Sequence, residues 1–264
     1  MMDPALHLSL MGWAVIALFM SVLWGIQLRT RNAAIVDFGW ALSLVFLASF
    51  YALRGHAGFN RGLLMAVTVG IWGLRLAFYL LLTRVIGQPE EGRYQELRVG
   101  WGAHVQSRLF LFFQAQGILN IVLAVPFLLF ALNPRRELSP LEYASAGLWA
   151  IAFMGELVAD AQLTRFKSSA ANRGKVCDVG LWSLSRHPNY FFEWLIWVSY
   201  ALLALASPHG YLGLISPALI LFFLLKVTGI PATEAQALRT KGDDYRRYQQ
   251  TTCVFVPWFP RRTA

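Results

Sequence analysis

An all-α, polytopic integral membrane protein with seven transmembrane helices is the fold class this sequence predicts, and three observations carry it. Of 264 residues, 57% are hydrophobic and only 14% charged, and the mean hydropathy is +0.50. A soluble domain carries about 25% charged residues. Seven apolar stretches approach the ~20 residues that cross hydrocarbon. The basic residues that separate them fall almost entirely on one side, as membrane topology requires.

The spans are expected near 7–27, 33–53, 62–83, 109–132, 142–163, 189–207 and 211–230. The first lacks the basic region of a cleavable signal and reads as a retained helix. The second holds Asp37 a turn inside its start, and the third holds Arg75. The fifth is the least apolar, with Glu156 and Asp160 in its last turns. The sixth opens at Pro188, whose preset φ and missing N–H suit a first helical position. Pro231 is expected to close the seventh. Residues 234–250 then read as a helix on the membrane surface, with Thr233 as its N-cap.

With seven helices, Arg29, Arg31, Arg84, Arg93, Arg98, Arg108, Arg165, Lys167, Arg173, Lys175, Arg186, Lys226, Arg239, Lys241, Arg246, Arg247, Arg261 and Arg262 share one side. Arg54, Arg61, Arg135 and Arg136 take the other, and Arg75 lies within a span. That asymmetry predicts an outer N-terminus and a cytoplasmic C-terminus. It also accounts for the formal charge of +9 without nucleic acid. The chain is expected to be one transmembrane domain, 1–264, with substrate-side helices over 1–140 and a cofactor-binding region over 141–264. No obligate protein partner is evident. Two cysteines, Cys177 and Cys253, make no metal or disulfide framework. The five histidines form no HxxxH or HxxH cluster, so no metal site is expected, and no GxGxxG or P-loop is present.

Chemistry concentrates at the cytoplasmic mouths. Arg173, Lys175, Arg186 and His187 precede the sixth helix, whose free N–H groups and dipole invite an anion. Asn189 and Glu193 stand four apart on one face of it, and an ionisable residue at the edge of hydrocarbon marks function. Glu156 and Asp160 share a face with Lys167; they form either a helix-end charge cluster or a ribose and phosphate contact. Arg93 and Tyr94 either belong to a solvated loop or stack on an adenosine phosphate. Arg84 lies at a helix end. Asp37 is either a proton-bearing hydrogen-bond donor or the partner of Arg75. Trp72, three residues before Arg75, has an indole N–H that either packs or holds a ligand carbonyl.

Gly180-Leu181-Trp182, then Ser185-Arg186-His187-Pro188-Asn189-Tyr190 and Glu193-Trp194, resemble the C-terminal signature of the steroid 5α-reductase family, in its bacterial branch. Asp160 with Lys167 seven later, Asp244-Tyr245-Arg246 with Tyr248, and Phe255-Val256-Pro257 are similar to that family too. The resemblance implies a seven-helix reductase of the bacterial inner membrane. NADPH would enter from the cytoplasm and reduce the C=C of a 3-oxo-Δ4 steroid or related lipid enone. It places Asp160, Lys167, Asn189 and Glu193 on NADPH. Arg84, Arg93, Tyr94, Arg173, Lys175, Arg186, His187, Tyr190, Glu234, Tyr245 and Arg246 are further expected contacts. Asp37 takes the position of the family's catalytic carboxylate, normally a Glu, and Trp72 that of its ketone-binding tyrosine. Glu234 stands where animal members carry His. The alternative is an S-adenosylmethionine-dependent methyltransferase of a lipid or prenylcysteine, which shares the Arg-His-Pro mouth. A proton-coupled carrier is disfavoured by the lack of repeat halves.

Overall fold

A computed structural model describes residues 3–259; Arg261 and Arg262, assigned above to the basic side, lie outside it. The described residues form helices, with one isolated bridge between Ser185 and Cys253. The helices are α1 (Pro4–Thr30), α2 (Ile35–Arg54), α3 (Phe59–Leu80), α4 (Gly92–Trp101), α5 (Val105–Leu123), α6 (Val125–Leu132), α7 (Pro140–Ser168), α8 (Leu181–Leu184), α9 (Pro188–Leu205), α10 (Ile215–Phe222) and α11 (Ile230–Thr251). A π turn, Leu81–Val85, extends α3, and another, Phe223–Val227, extends α10.

Five helical segments are long and apolar enough to cross a membrane: Pro4–Thr30, Ile35–Arg54, Phe59–Val85, Pro140–Ser168 and Gly210–Thr251. Gly92–Leu123 with Val125–Leu132, bent by 41°, makes a sixth if it is one span. This is an integral membrane architecture. Of the seven expected spans, 189–207 does form a helix, α9, but is not among those that qualify by composition. Asn189 and Glu193 within its 18 residues lower its apolarity.

The chain divides into two compact units, Met1–Glu142 with Leu203–Ile215 and Tyr143–Leu202 with Ser216–Ala264. In the first, α1, α2 and α5 approach closely. A Cβ on Gly117 would lie 3.2 Å from Ile16 and 3.5 Å from Met20, and one on Gly39 would meet Leu23 and Met20. Small residues permit such packing where lipid offers helices no hydrophobic drive to associate. Polar bonds reinforce it: the Gln114 amide donates to the Ser21 hydroxyl at 3.1 Å and Gln27 to Gln106 at 2.8 Å.

Arg61, assigned above to a connection, is fully buried and ion-paired with equally buried Glu142. Its guanidinium lies 4.3 Å from the Phe130 ring centroid, and Glu142 also accepts from the Ser139 amide at 2.6 Å. This ties the start of α3 to α6 and the start of α7. In the second unit, Pro231 opens α11 rather than only closing the helix before it. Gly229 is the N-cap, and the Thr233 hydroxyl donates back to its carbonyl at 3.0 Å. Gly242, at φ +54, breaks α11 in two.

Removing one partner of a buried pair strands the other charge, at a cost of about 3–5 kcal/mol. Arg61→Ala is therefore expected to lower the thermal midpoint in detergent strongly. Arg61→Met with Glu142→Gln is expected to recover most of the loss. A single variant as stable as wild type would show that the pair does not hold the unit.

Candidate functional site

The second unit gathers most of the expected binding residues. Gly180, at φ +58, adopts a backbone that L side chains avoid. It lets the chain turn against α7, where the Leu181 amide donates to the Gln162 side chain at 2.9 Å and the Trp182 indole to the Ala159 carbonyl at 2.9 Å. The turn leads into Arg186 and His187, directly before Pro188 starts α9.

Glu234, near the start of α11, is the centre of this arrangement. It accepts from Arg186 Nε at 2.7 Å and from Gln249 at 2.9 Å, and His187 Nε2 lies 3.3 Å away. Tyr245 O–H reaches it at 3.5 Å. Arg186 Nη1 donates onward to the carbonyls of Gln249 at 3.0 Å and Thr252 at 2.7 Å. Burial alone would raise the Glu234 pKa, but the bonds from His187, Arg186 and Gln249 outweigh it and bring it down to about 2. Burial, with the charge of Glu234, pushes the Tyr245 phenol up to about 12.

Beside this hub is a cavity of about 190 Å³. Lys167, Arg186, His187, Asn189, Tyr190 and Tyr245, all expected to bind, line it together with Lys241, Cys177 and Thr233. No carboxylate is among the lining residues, and neither lysine has an ion-pair partner among the described residues. Burial and the nearby Lys167 charge pull the Lys241 ammonium below its ordinary value, with Cys177 opposing. Val176 and Tyr248 also line a groove of about 630 Å³ that holds Lys175 and Arg247 with Asp178 and Asp244. The cationic surplus and confined volume suit a phosphorylated ligand.

Asn189 donates to Asp160 at 3.3 Å, across α9 and α7, while its oxygen accepts from the Tyr190 amide at 3.0 Å. The Tyr190 ring stacks on His187, centroids 5.4 Å apart. Glu193 accepts from the Trp197 indole at 3.0 Å. Neither Asp160 nor Glu193 lines the cavity. Arg173 is exposed outside it, and Arg246 is exposed and paired with Asp243 at 2.9 Å.

Arg84, Arg93 and Tyr94 lie in the first unit, around Asp37. The Asp37 carboxylate accepts from Tyr94 O–H at 2.7 Å and Arg84 Nη1 at 3.3 Å, and from Arg93. The π turn Leu81–Val85 carries Arg84, and such turns recur at functional positions. Glu90 fastens the segment before α4 to the start of α2, accepting from the Ala33 amide at 2.7 Å and from Arg98 Nε at 2.6 Å. Trp72 is fully buried, edge-on to Trp40 at 6.3 Å.

Sequence reasoning assigned no role in binding to Lys241 and Cys177. Gly242, inside an apparently helical run, is the available signal that the chain breaks next to Lys241.

A carboxylate whose pKa is lowered on folding contributes stability that is complete above its unfolded value, about 4.3, and lost as pH falls toward its folded value. Between about pH 4.3 and the folded value of about 2, wild type is expected to lose stability more steeply than Glu234→Gln. Thermal melting across that window measures this. Parallel curves would show that the hub does not hold the charged form.

No solved structure matches the chain. An uncharacterized protein of Schizosaccharomyces pombe is 26% identical over 221 residues, which cover 73% of this chain and 63% of that protein. The matched region thus spans less than two thirds of the relative's length. A family profile matches residues 23–252, and the chain belongs to the family that it describes: protein of unknown function (DUF1295).

Proposed function

We propose that the protein is an NADPH-dependent reductase of a membrane lipid enone, such as a 3-oxo-Δ4 steroid. The observation that carries the reading is the 190 Å³ cavity, in which Lys167 and Lys241, with no ion-pair partner among the described residues, face one space with Asn189 and with Arg186 and His187, which Glu234 already pairs. A ligand with several phosphate charges matches that surplus. The cavity is smaller than the roughly 300–1,000 Å³ of whole ligand sites, so one end of the dinucleotide seats there and the remainder follows the 630 Å³ groove. The sequence motifs around Arg186, Asn189 and Glu193 add support, through their resemblance to the steroid 5α-reductases.

In this reading Lys167 and Lys241 hold phosphate, and Arg186, pinned through Glu234, adds a fixed positive charge. Asn189, oriented by Asp160, presents its amide to the carboxamide of the bound cofactor, and Glu193 lies farther along the same helix face. NADPH, when bound, supplies the hydride that reduces the β-carbon of the enone. Asp37 is assigned to the substrate ketone: in its protonated form it would give its proton to the oxygen of the enolate that hydride addition leaves, and Tyr94 O–H with the Arg84 and Arg93 guanidinium groups would hold the resulting carboxylate. Donors already in place stabilise the charge that develops there without reorganising.

Seven spans complete the proposal, counting α9 and the bent pair as one crossing each. The N-terminus lies outside, and the cofactor site faces the cytoplasm of a bacterial inner membrane. The one-sided distribution of Lys and Arg supports this orientation.

Titrating NADPH into detergent-solubilised protein, followed by the change in its fluorescence, tests the reading. A hydrogen bond to a charged group contributes about 1.5–3 kcal/mol, and 1.4 kcal/mol is tenfold in affinity. Lys167→Met and Lys241→Met are each expected to weaken binding about tenfold or more. Glu193→Gln and Asn189→Ala should lower it further, and Asp37→Asn should cut turnover of a Δ4-3-ketosteroid with little change in NADPH affinity. If wild type ignores NADPH yet gains thermal stability from S-adenosylmethionine, the protein is a methyltransferase instead.

A further inference from the structure

The segment after α11 is a strap of alternating character. Its inner edge is hydrogen-bonded to the turn before α9. The Arg186 amide donates to the Cys253 carbonyl at 2.8 Å, Ser185 Oγ to the Phe255 carbonyl at 2.8 Å, and the Trp258 amide to the Leu184 carbonyl at 2.9 Å. Phe255 turns inward, its ring 5.7 Å from Phe191 and 5.9 Å from Trp194. Its neighbours Val254 and Val256 turn outward, as extended backbone requires, and both are exposed. Trp258 and Phe259 follow at 66% and 79% exposure.

Exposed apolar side chains are expected on the lipid face of a spanning helix, but this strap spans nothing. Its depth is set by its packing. Phe191 and Trp194 lie three and six residues into α9, roughly 5–9 Å along the helix from Pro188 at 1.5 Å per residue. The ring of Phe255 is held at that level, where an apolar helix passes from headgroups into hydrocarbon. Tryptophan concentrates at that boundary, and interfacial segments bury their apolar face about 5–10 Å into it. In sequence, Arg261 and Arg262 follow, with charge complementary to anionic headgroups.

We propose that residues 252–259 form an interfacial strap whose outer face lies in the headgroup–acyl boundary of an anionic bilayer. Arg186, which donates to the Thr252 carbonyl at 2.7 Å, is thereby held from the lipid surface as well as by Glu234. The inference rests on α9 crossing the membrane, as proposed above, but not on the cofactor, so loss of NADPH binding would leave it standing.

The test uses full-length protein in vesicles of phosphatidylcholine and phosphatidylglycerol. Subtracting the emission of Trp258→Phe from that of wild type isolates Trp258. Its emission is expected to be blue-shifted, and to lose roughly half its intensity to lipids brominated at the acyl depth of an interfacial segment. Aqueous iodide should leave it nearly intact. Moving the probe one residue, with Phe259→Trp in the Trp258→Phe background, should again give a tryptophan that bromine reaches. Emission quenched by iodide and not by bromine would place the strap in water. Emission reached by neither would mean that a protein partner covers it. Either result overturns the proposal.

Discussion

A charge carried into hydrocarbon must bring its counter-charge with it, because the solvent there supplies none. An isolated ionised group in a medium of low polarity is far more costly than any single packing contact can offset. The first unit obeys this constraint at two places. Arg61 and Glu142 are sealed together where three helices meet. Asp37 collects two guanidinium groups and a phenol from residues 47 to 57 positions away. In each case the polar cluster decides which helix ends meet, and apolar side chains fill the space around it.

The second unit uses the same constraint with a different balance. Glu234 satisfies Arg186 and lies against His187, but among the described residues no carboxylate closes on Lys167 or Lys241. Helix packing alone has no use for two ammonium groups near enough to depress one of them. The surplus is compatible with folding because the cavity opens to water and to counter-ions. A bound polyanion would discharge it. The arrangement thus separates charges that are paired within the fold from charges that are not.

Local signals made most of the secondary structure legible. Pro188 opens α9, as its missing donor predicts, and the second and third spans match their helices closely. The grouping from Arg186 to Asn189 was legible because its members are contiguous, so any fold keeps them together; that Glu234 pairs with the first two was not. Apolar length was a poorer guide where polar side chains intrude. The helix from Pro188 to Leu205 carries the candidate polar groups, and these are what reduce its membrane character. Pro231 was ambiguous for a related reason, since a residue that ends one helix suits the first turn of the next.

What the sequence alone determined is therefore the composition of each helix, its apolar length, and the short motif at the start of α9. These follow from periodicity and backbone chemistry within a few residues. Only the tertiary structure decided which charges pair. Nothing local joins Arg61 to Glu142, Arg93 and Tyr94 to Asp37, or Lys241 to the cavity of Lys167. Pairing between distant residues depends on which helix faces meet, and that is settled by packing and by the cost of stranding a charge, neither of which a sequence pattern records.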